Sequence, residues 1–181
     1  IESFVTDLSQ WYVRRSRDRV GPAVEDSPDK NHCHATLYEV LVTICKLLEP
    51  FTPFLAEEMY RNLTGEESVH LSDWPAFAKA TAGQAELLDA MAMVRKICEL
   101  GHAVRKEKKI KVRQPLNSCQ LSAVSCQLDE EMLALIRNEL NVKDVVLRQG
   151  AGELTVALDT TITPELQQEG EARELVRQVQ M

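Results

Sequence analysis

The hydrophobic pattern of this chain changes period once, near Pro115. Helices repeat every 3.6 residues and strands every two, so the two sides of that proline call for different architectures. Before it, Phe4, Leu8, Trp11 and Tyr12 share one helical face, and Gly21-Pro22 closes that helix. Leu37, Val40, Leu41, Ile44, Leu47 and Leu48 recur at steps of three and four, which predicts a helix over about 31–48. Thr52-Pro53 reads as a cap and first turn, with Thr64-Gly65 as the stop. Phe51, Phe54, Leu55 and Met59 are expected in its core, with Glu57 and Glu58 solvated. A long helix is predicted over about 84–109, facing inward through Leu87, Met91, Val94, Cys98 and Gly101.

After Pro115 the expected order is a strand over 119–124, a helix over 130–140 and two strands over 144–148 and 154–158. Gly150-Ala151-Gly152 is read as the hairpin turn between those strands. A last helix begins at Pro164. The fold class is therefore mainly α: a helical bundle over 1–111 and a small α+β segment over 112–181. A start at Ile1 rather than Met, and a helix still running at Met181, read as a piece of a longer protein. Residues 68–77 are expected to be a connector, with Asp73-Trp74-Pro75 pinned by a buried Trp74 indole.

Charge is distributed against the average. The 181 residues carry a formal net charge of -7, yet six of the nine residues from Arg105 to Arg113 are Lys or Arg. From Gln114 onward there are five basic and eleven acidic residues. Crowded cations repel one another, and a polyanion that neutralises them also releases its counterions. A helix C-terminus favours two or three cations, not six. A second basic cluster lies at Arg14, Arg15, Arg17 and Arg19, beside Trp11, where a guanidinium can stack on the indole and still donate to phosphate; composition alone favours the plainer alternative, a core Trp11 with solvated arginines.

Other chemistry finds little support. Adjacent Glu57 and Glu58 point to different helix faces and make a poor acid–base pair. His32-Cys33-His34 lacks zinc-ligand spacing, so no metal site is expected. Five irregularly spaced cysteines argue for free thiols, not a disulfide framework. There is no phosphate-cradling glycine loop, no nucleophile elbow and no apolar run long enough for a membrane. No catalytic residue is assigned.

In order along the chain stand WYVRRSR (11–17), LEPFTPFLAEEMYRNL (48–63), SVHLSDWP (68–75), IKVRQPL (110–116), ELNVKDV (139–145) and LDTTITPELQQEGEARELVRQVQ (158–180). Together they resemble the isoleucyl-tRNA synthetases, across nearly the whole chain. The PFTPFLAEE block is shared with valyl- and leucyl-tRNA synthetases, whereas WYVRRSR, KVRQPL and the 158–180 run are closer to the isoleucine family. The chain departs from the family after Arg17, where Asp18-Arg19-Val20-Gly21-Pro22 replaces a further Arg followed by Phe-Trp.

The resemblance implies a helical anticodon-binding domain and the start of the appendage that follows it. It implies isoleucine tRNA and the rest of a parent synthetase as partners, a cytoplasmic location and a monomeric, membrane-free fragment. The His-Ile-Gly-His and Lys-Met-Ser-Lys-Ser motifs of the ATP site are missing, so ATP and magnesium belong to the parent, and no cofactor is expected here. Phosphate contacts are expected from Arg14, Arg15, Arg17, Arg105, Lys108, Lys109, Lys111 and Arg113, with Trp11 as a stacking candidate. The equivalent domain of a valyl-tRNA synthetase and a helical protein-interaction domain are the alternatives.

Overall fold

The computed structural model describes residues 1–22, 24–75, 82–122, 128–148 and 153–179. The chain forms two compact units, Ile1–Ala78 and Lys79–Met181.

The first unit is helical. Helix α1 (Glu2–Asp7) runs through a π-helical turn (Leu8–Val13) into α2 (Arg14–Val20). Gly21 leaves the helix at ψ 153, the extended conformation that Pro22 imposes on its predecessor. Helix α3 (Pro28–Leu48) starts earlier than its apolar stripe suggests. The Ser27 hydroxyl accepts from the Lys30 amide at 3.2 Å, and Pro28 fits the first turn, where no amide donor is needed. Helix α4 (Pro53–Thr64) ends at Gly65, whose φ of 74° is the left-handed conformation that terminates helices. The Thr52 hydroxyl does not cap α4; it turns back to Leu48.

The core between α3 and α4 is Cys45, Ala56, Tyr60 and Val69, flanked by Val42, Leu48, Met59 and Leu63. The expectation for Phe51, Phe54 and Leu55 fails here. They are 74%, 90% and 56% exposed. Ala56, Met59, Tyr60 and Leu63 follow the three- and four-residue step and take the inward face, which leaves Phe54 on the far side of α4. Glu57 is also more than a solvated charge. Its carboxylate accepts from Ser68 Oγ at 3.0 Å and the Val69 amide at 2.8 Å, and these bonds hold its pKa below the usual glutamate value. It thereby ties α4 to a short 3-10 turn (Val69–Leu71). The residue that pins this connector is the buried Val69; Trp74, expected as a buried indole, is 53% exposed.

The second unit combines helices with a sheet. Helix α5 (Ala82–Glu107) packs on α6 (Glu130–Leu140) and on the sheet, so it belongs to this unit although its period matches the helices before it. The change of period near Pro115 and the division into compact units after Ala78 therefore fall at different places. The buried stripe of α5 is Ala90, Val94, Ile97 and Cys98; Leu87, expected inward, is 53% exposed. Gly101 lets α6 approach, since a Cβ there would meet Leu140 Cδ2 at 2.5 Å.

The sheet order is β2-β1-β3, from β1 (Leu116–Ser122), β2 (Val142–Arg148) and β3 (Thr155–Leu158). Strands β1 and β2 run parallel, with Cys119 opposite Val145, and α6 makes the crossover that parallel pairing requires. Strand β3 is antiparallel to β1, with Leu121 opposite Val156. The expected hairpin between β2 and β3 is thus replaced by two separate pairings on β1. The proposed turn Gly150-Ala151-Gly152 lies outside the described residues. Strand β1 is central because Leu116, Cys119 and Leu121 are fully buried. Helix α7 (Pro164–Val179) docks through Gly170, where a Cβ would meet the Gln114 side chain at 2.4 Å.

Candidate nucleic-acid interface

The first basic cluster follows the π turn. A π turn shifts the hydrogen-bond ladder by one residue and leaves carbonyls in need of donors. The Arg14 Nε donates to the Gln10 carbonyl at 2.8 Å. The Arg15 guanidinium carbon lies 5.4 Å from the centre of the half-buried Trp11 ring, a cation–π contact. Arg14 and Arg17 are exposed, and Ser16 is the buried residue of α2. Arg19 is committed elsewhere. It holds Asp29 through two bonds of 2.8 and 2.6 Å, which raise its own pKa and depress the aspartate's.

The second cluster is built around a buried arginine. Arg105 is 1% exposed. Its Nε donates to Leu140 O at 3.0 Å. Nη1 donates to the carbonyls of Lys111 and Gln114, both at 3.0 Å. Nη2 donates to Leu140 O at 2.6 Å and Asn141 O at 3.1 Å. A guanidinium has five N–H donors, and all are used on backbone carbonyls. Two of those carbonyls, from Leu140 and Asn141, stand at the C-terminus of α6, the end whose dipole favours a cation. Burial lowers the Arg105 pKa, but from so high a value that the group stays charged at neutral pH. The same burial pushes the neighbouring Cys119 thiol up to about 11.

Arg105 therefore corrects its assignment as a phosphate contact: it has no free donor and no exposure. The signal for this was in the sequence. Arg105 continues the inward step Val94, Ile97, Gly101 by one further four-residue interval, so it lies on the buried face of α5.

The other cations stand around it. Helix α5 ends with the Lys109 amide bonded to Lys106 O at 3.1 Å and the Ile110 amide bonded to Arg105 O at 2.9 Å. This is a Schellman closure with Lys109 at the left-handed position, φ 55°. Glycine is the usual residue there, and a side chain costs about 1–2 kcal/mol. Lys106, Lys108, Lys109, Lys111 and Arg113 are all exposed. Lys108 lies 3.7 Å from Glu107, and Arg113 lies 3.8 Å from Glu174 of α7; both are loose surface pairs.

Residues 1–120 match the family model for the anticodon-binding domain of tRNA ligase. The chain belongs to that family. An anticodon-binding domain meets a polyanion, and both basic clusters fall inside the matched residues. Similar curated proteins include the isoleucine–tRNA ligase of Dehalococcoides mccartyi, 39% identical over 99% of this chain and 20% of that protein. The isoleucine–tRNA ligase of Chlamydia trachomatis is 48% identical over 78% of this chain and 14% of its own length. That of Deinococcus radiodurans is 45% identical over 85% of this chain, again 14% of its own length. The chain thus spans a fifth or less of these relatives.

Cys33 is buried, 3.6 Å from Tyr12 Oη, while His32 and His34 are exposed on either side. Among the described residues no group of three or more His, Cys, Asp or Glu side chains is arranged to hold a metal ion. No described helix is long and apolar enough to cross a membrane. Within the second cluster, Lys106 is the exposed cation that was not among the expected phosphate contacts.

Proposed function

We propose that this chain is the anticodon-binding part of an isoleucine–tRNA ligase and that it holds the anticodon stem and loop of isoleucine tRNA. Aminoacylation, with ATP and magnesium, is the work of a catalytic domain elsewhere in the parent protein, in the cytoplasm; this chain acts as a monomeric holding module. The observation that carries the reading is the anticodon-binding match over 1–120, which contains both cation clusters. Arg14, Arg17, Lys108, Lys109, Lys111 and Arg113 meet phosphates. Trp11, with Arg15 on its ring, offers a stacking surface to an unstacked loop base. Phosphate contacts position the RNA without reading it, so selectivity among tRNAs is modest for the isolated chain.

Competition titrations with isoleucine and valine tRNAs at two fixed salt concentrations test this. Expected are salt-sensitive binding with a modest preference for isoleucine tRNA, and no isoleucine-dependent pyrophosphate exchange. A clear preference for valine tRNA would move the domain to the valine enzyme. Absence of salt-sensitive binding would leave a protein-interaction role instead.

A further inference from the structure

Lys108, Lys109 and Lys111 lie within four residues and are all exposed. Such a segment would relieve its repulsion by spreading into solvent. Instead it is fastened from both ends by one residue. The Arg105 carbonyl accepts from the Ile110 amide at 2.9 Å, which closes the entry to the turn. The Arg105 side chain grips the Lys111 and Gln114 carbonyls at 3.0 Å, which closes the exit. The rest of the same guanidinium is anchored on Leu140 and Asn141, outside the turn altogether. Asn141 adds a further brace, donating from its side chain to the Val112 carbonyl at 3.0 Å. Lys109 sits in the left-handed conformation within this frame, at φ 55°.

We propose that Arg105 is a positioning residue for tRNA binding: it locks residues 108–114 into one preformed turn and so displays Lys108, Lys109 and Lys111 together without touching the RNA. The proposal rests on the reading of this turn as a phosphate contact. Its physical content is preorganisation. A cation cluster already ordered loses less conformational freedom when the polyanion arrives. Lysine cannot replace arginine here, because a compact ammonium with three donors cannot span carbonyls on opposite sides of a planar fork.

The test separates affinity from salt slope in the whole 181-residue chain. R105K keeps the charge and every exposed cation. It is expected to weaken tRNA binding roughly tenfold at each salt concentration, by loss of preorganisation. The slope of log affinity against log salt should not change, because no phosphate contact is removed. K108A/K109A is expected to lower that slope by about two units. Hydrogen exchange at the amides of Lys109, Ile110 and Gln114 reads the turn, and exchange in α6 reports whether the unit is folded. Insertion of two glycines between Arg113 and Gln114 loosens the turn with Arg105 intact and should reproduce the R105K affinity loss.

Full affinity in either variant overturns the proposal, whether its turn amides exchange faster or are unchanged. A slope reduced by about one unit in R105K overturns it differently, by making the guanidinium itself a phosphate contact. An unchanged slope in K108A/K109A overturns the reading of the turn as a tRNA contact, and the proposal with it. Because that result comes from a different variant, the two failures are distinguishable.

Discussion

The two basic clusters have similar sequence density and opposite construction. In the first, Arg14 and Arg17 are exposed, Arg15 lies over Trp11, and Arg19 binds the exposed Asp29. In the second, one arginine is taken out of solvent completely and the cations that follow it are arranged about it. A run of Lys and Arg in a sequence is therefore not a run of equivalent charges. A cation on the inward face of a helix is a structural part, and a cation one residue away is available to a ligand.

The largest expected effect that can break this comparison is the stability of R105M. Removing the guanidinium takes five hydrogen bonds from four carbonyls; those of Lys111 and Asn141 keep the amides of Gln114 and Leu116, while those of Leu140 and Gln114 lose their arginine partner, so a loss of about 3–5 kcal/mol is expected in urea unfolding of the second unit. R17A, at an exposed position of the first cluster, should stay within about 0.5 kcal/mol of the parent protein. Equal effects would mean the clusters are built alike.

A smaller effect sharpens the comparison by moving the platform that holds Arg105. G101A drives a Cβ against Leu140, at 2.5 Å from Cδ2 and 3.2 Å from Cγ. Leu140 is fully buried and has little room to turn away. A destabilisation of about 1–3 kcal/mol is expected by thermal unfolding.

The smallest effect concerns pH. The Arg19 guanidinium hydrogen-bonds Asp29 and holds its carboxyl below the ordinary value. A carboxyl with a depressed folded pKa contributes stability above its unfolded pKa, near 4, and that contribution is lost as pH falls through the folded value. R19A should therefore differ slightly from the parent at neutral pH, with the difference vanishing in acid. A pH series of melting temperatures checks this. A difference that grows in acid would show that Arg19 acts on another group.

Much of the local structure was legible. The helix over Glu130–Leu140, the stop at Gly65 and the proline-led starts at Pro53 and Pro164 depend on residues a few positions apart. The cation turn was legible as a cluster, and Trp11 and Arg15 as a pair, because both are neighbours on one stretch of helix or turn. Ser27 is a capping residue just before Pro28, and reading that pair would have extended α3 to its observed start.

What failed was non-local. Phe51, Phe54 and Leu55 are apolar enough for a core, but which arc of α4 turns inward was decided by α3 and the segment around Val69. Two strands flanking a glycine-rich stretch suggest a hairpin, yet β1 took both as neighbours because its own side chains are the most deeply buried of the three.

By itself, then, the sequence determined the helices and their punctuation, the change of period near Pro115 and the placing of two cation clusters within residues 1–120. Each of these follows from backbone preference or charge within about one turn of helix. Only the tertiary structure decided that α5 joins the sheet, that β1 is central and which carbonyls Arg105 grips. The reason is that burial is a property of what packs on a residue. The carbonyls of Leu140 and Asn141 that fix Arg105 are 35 and 36 positions further along the chain, beyond the reach of any local rule.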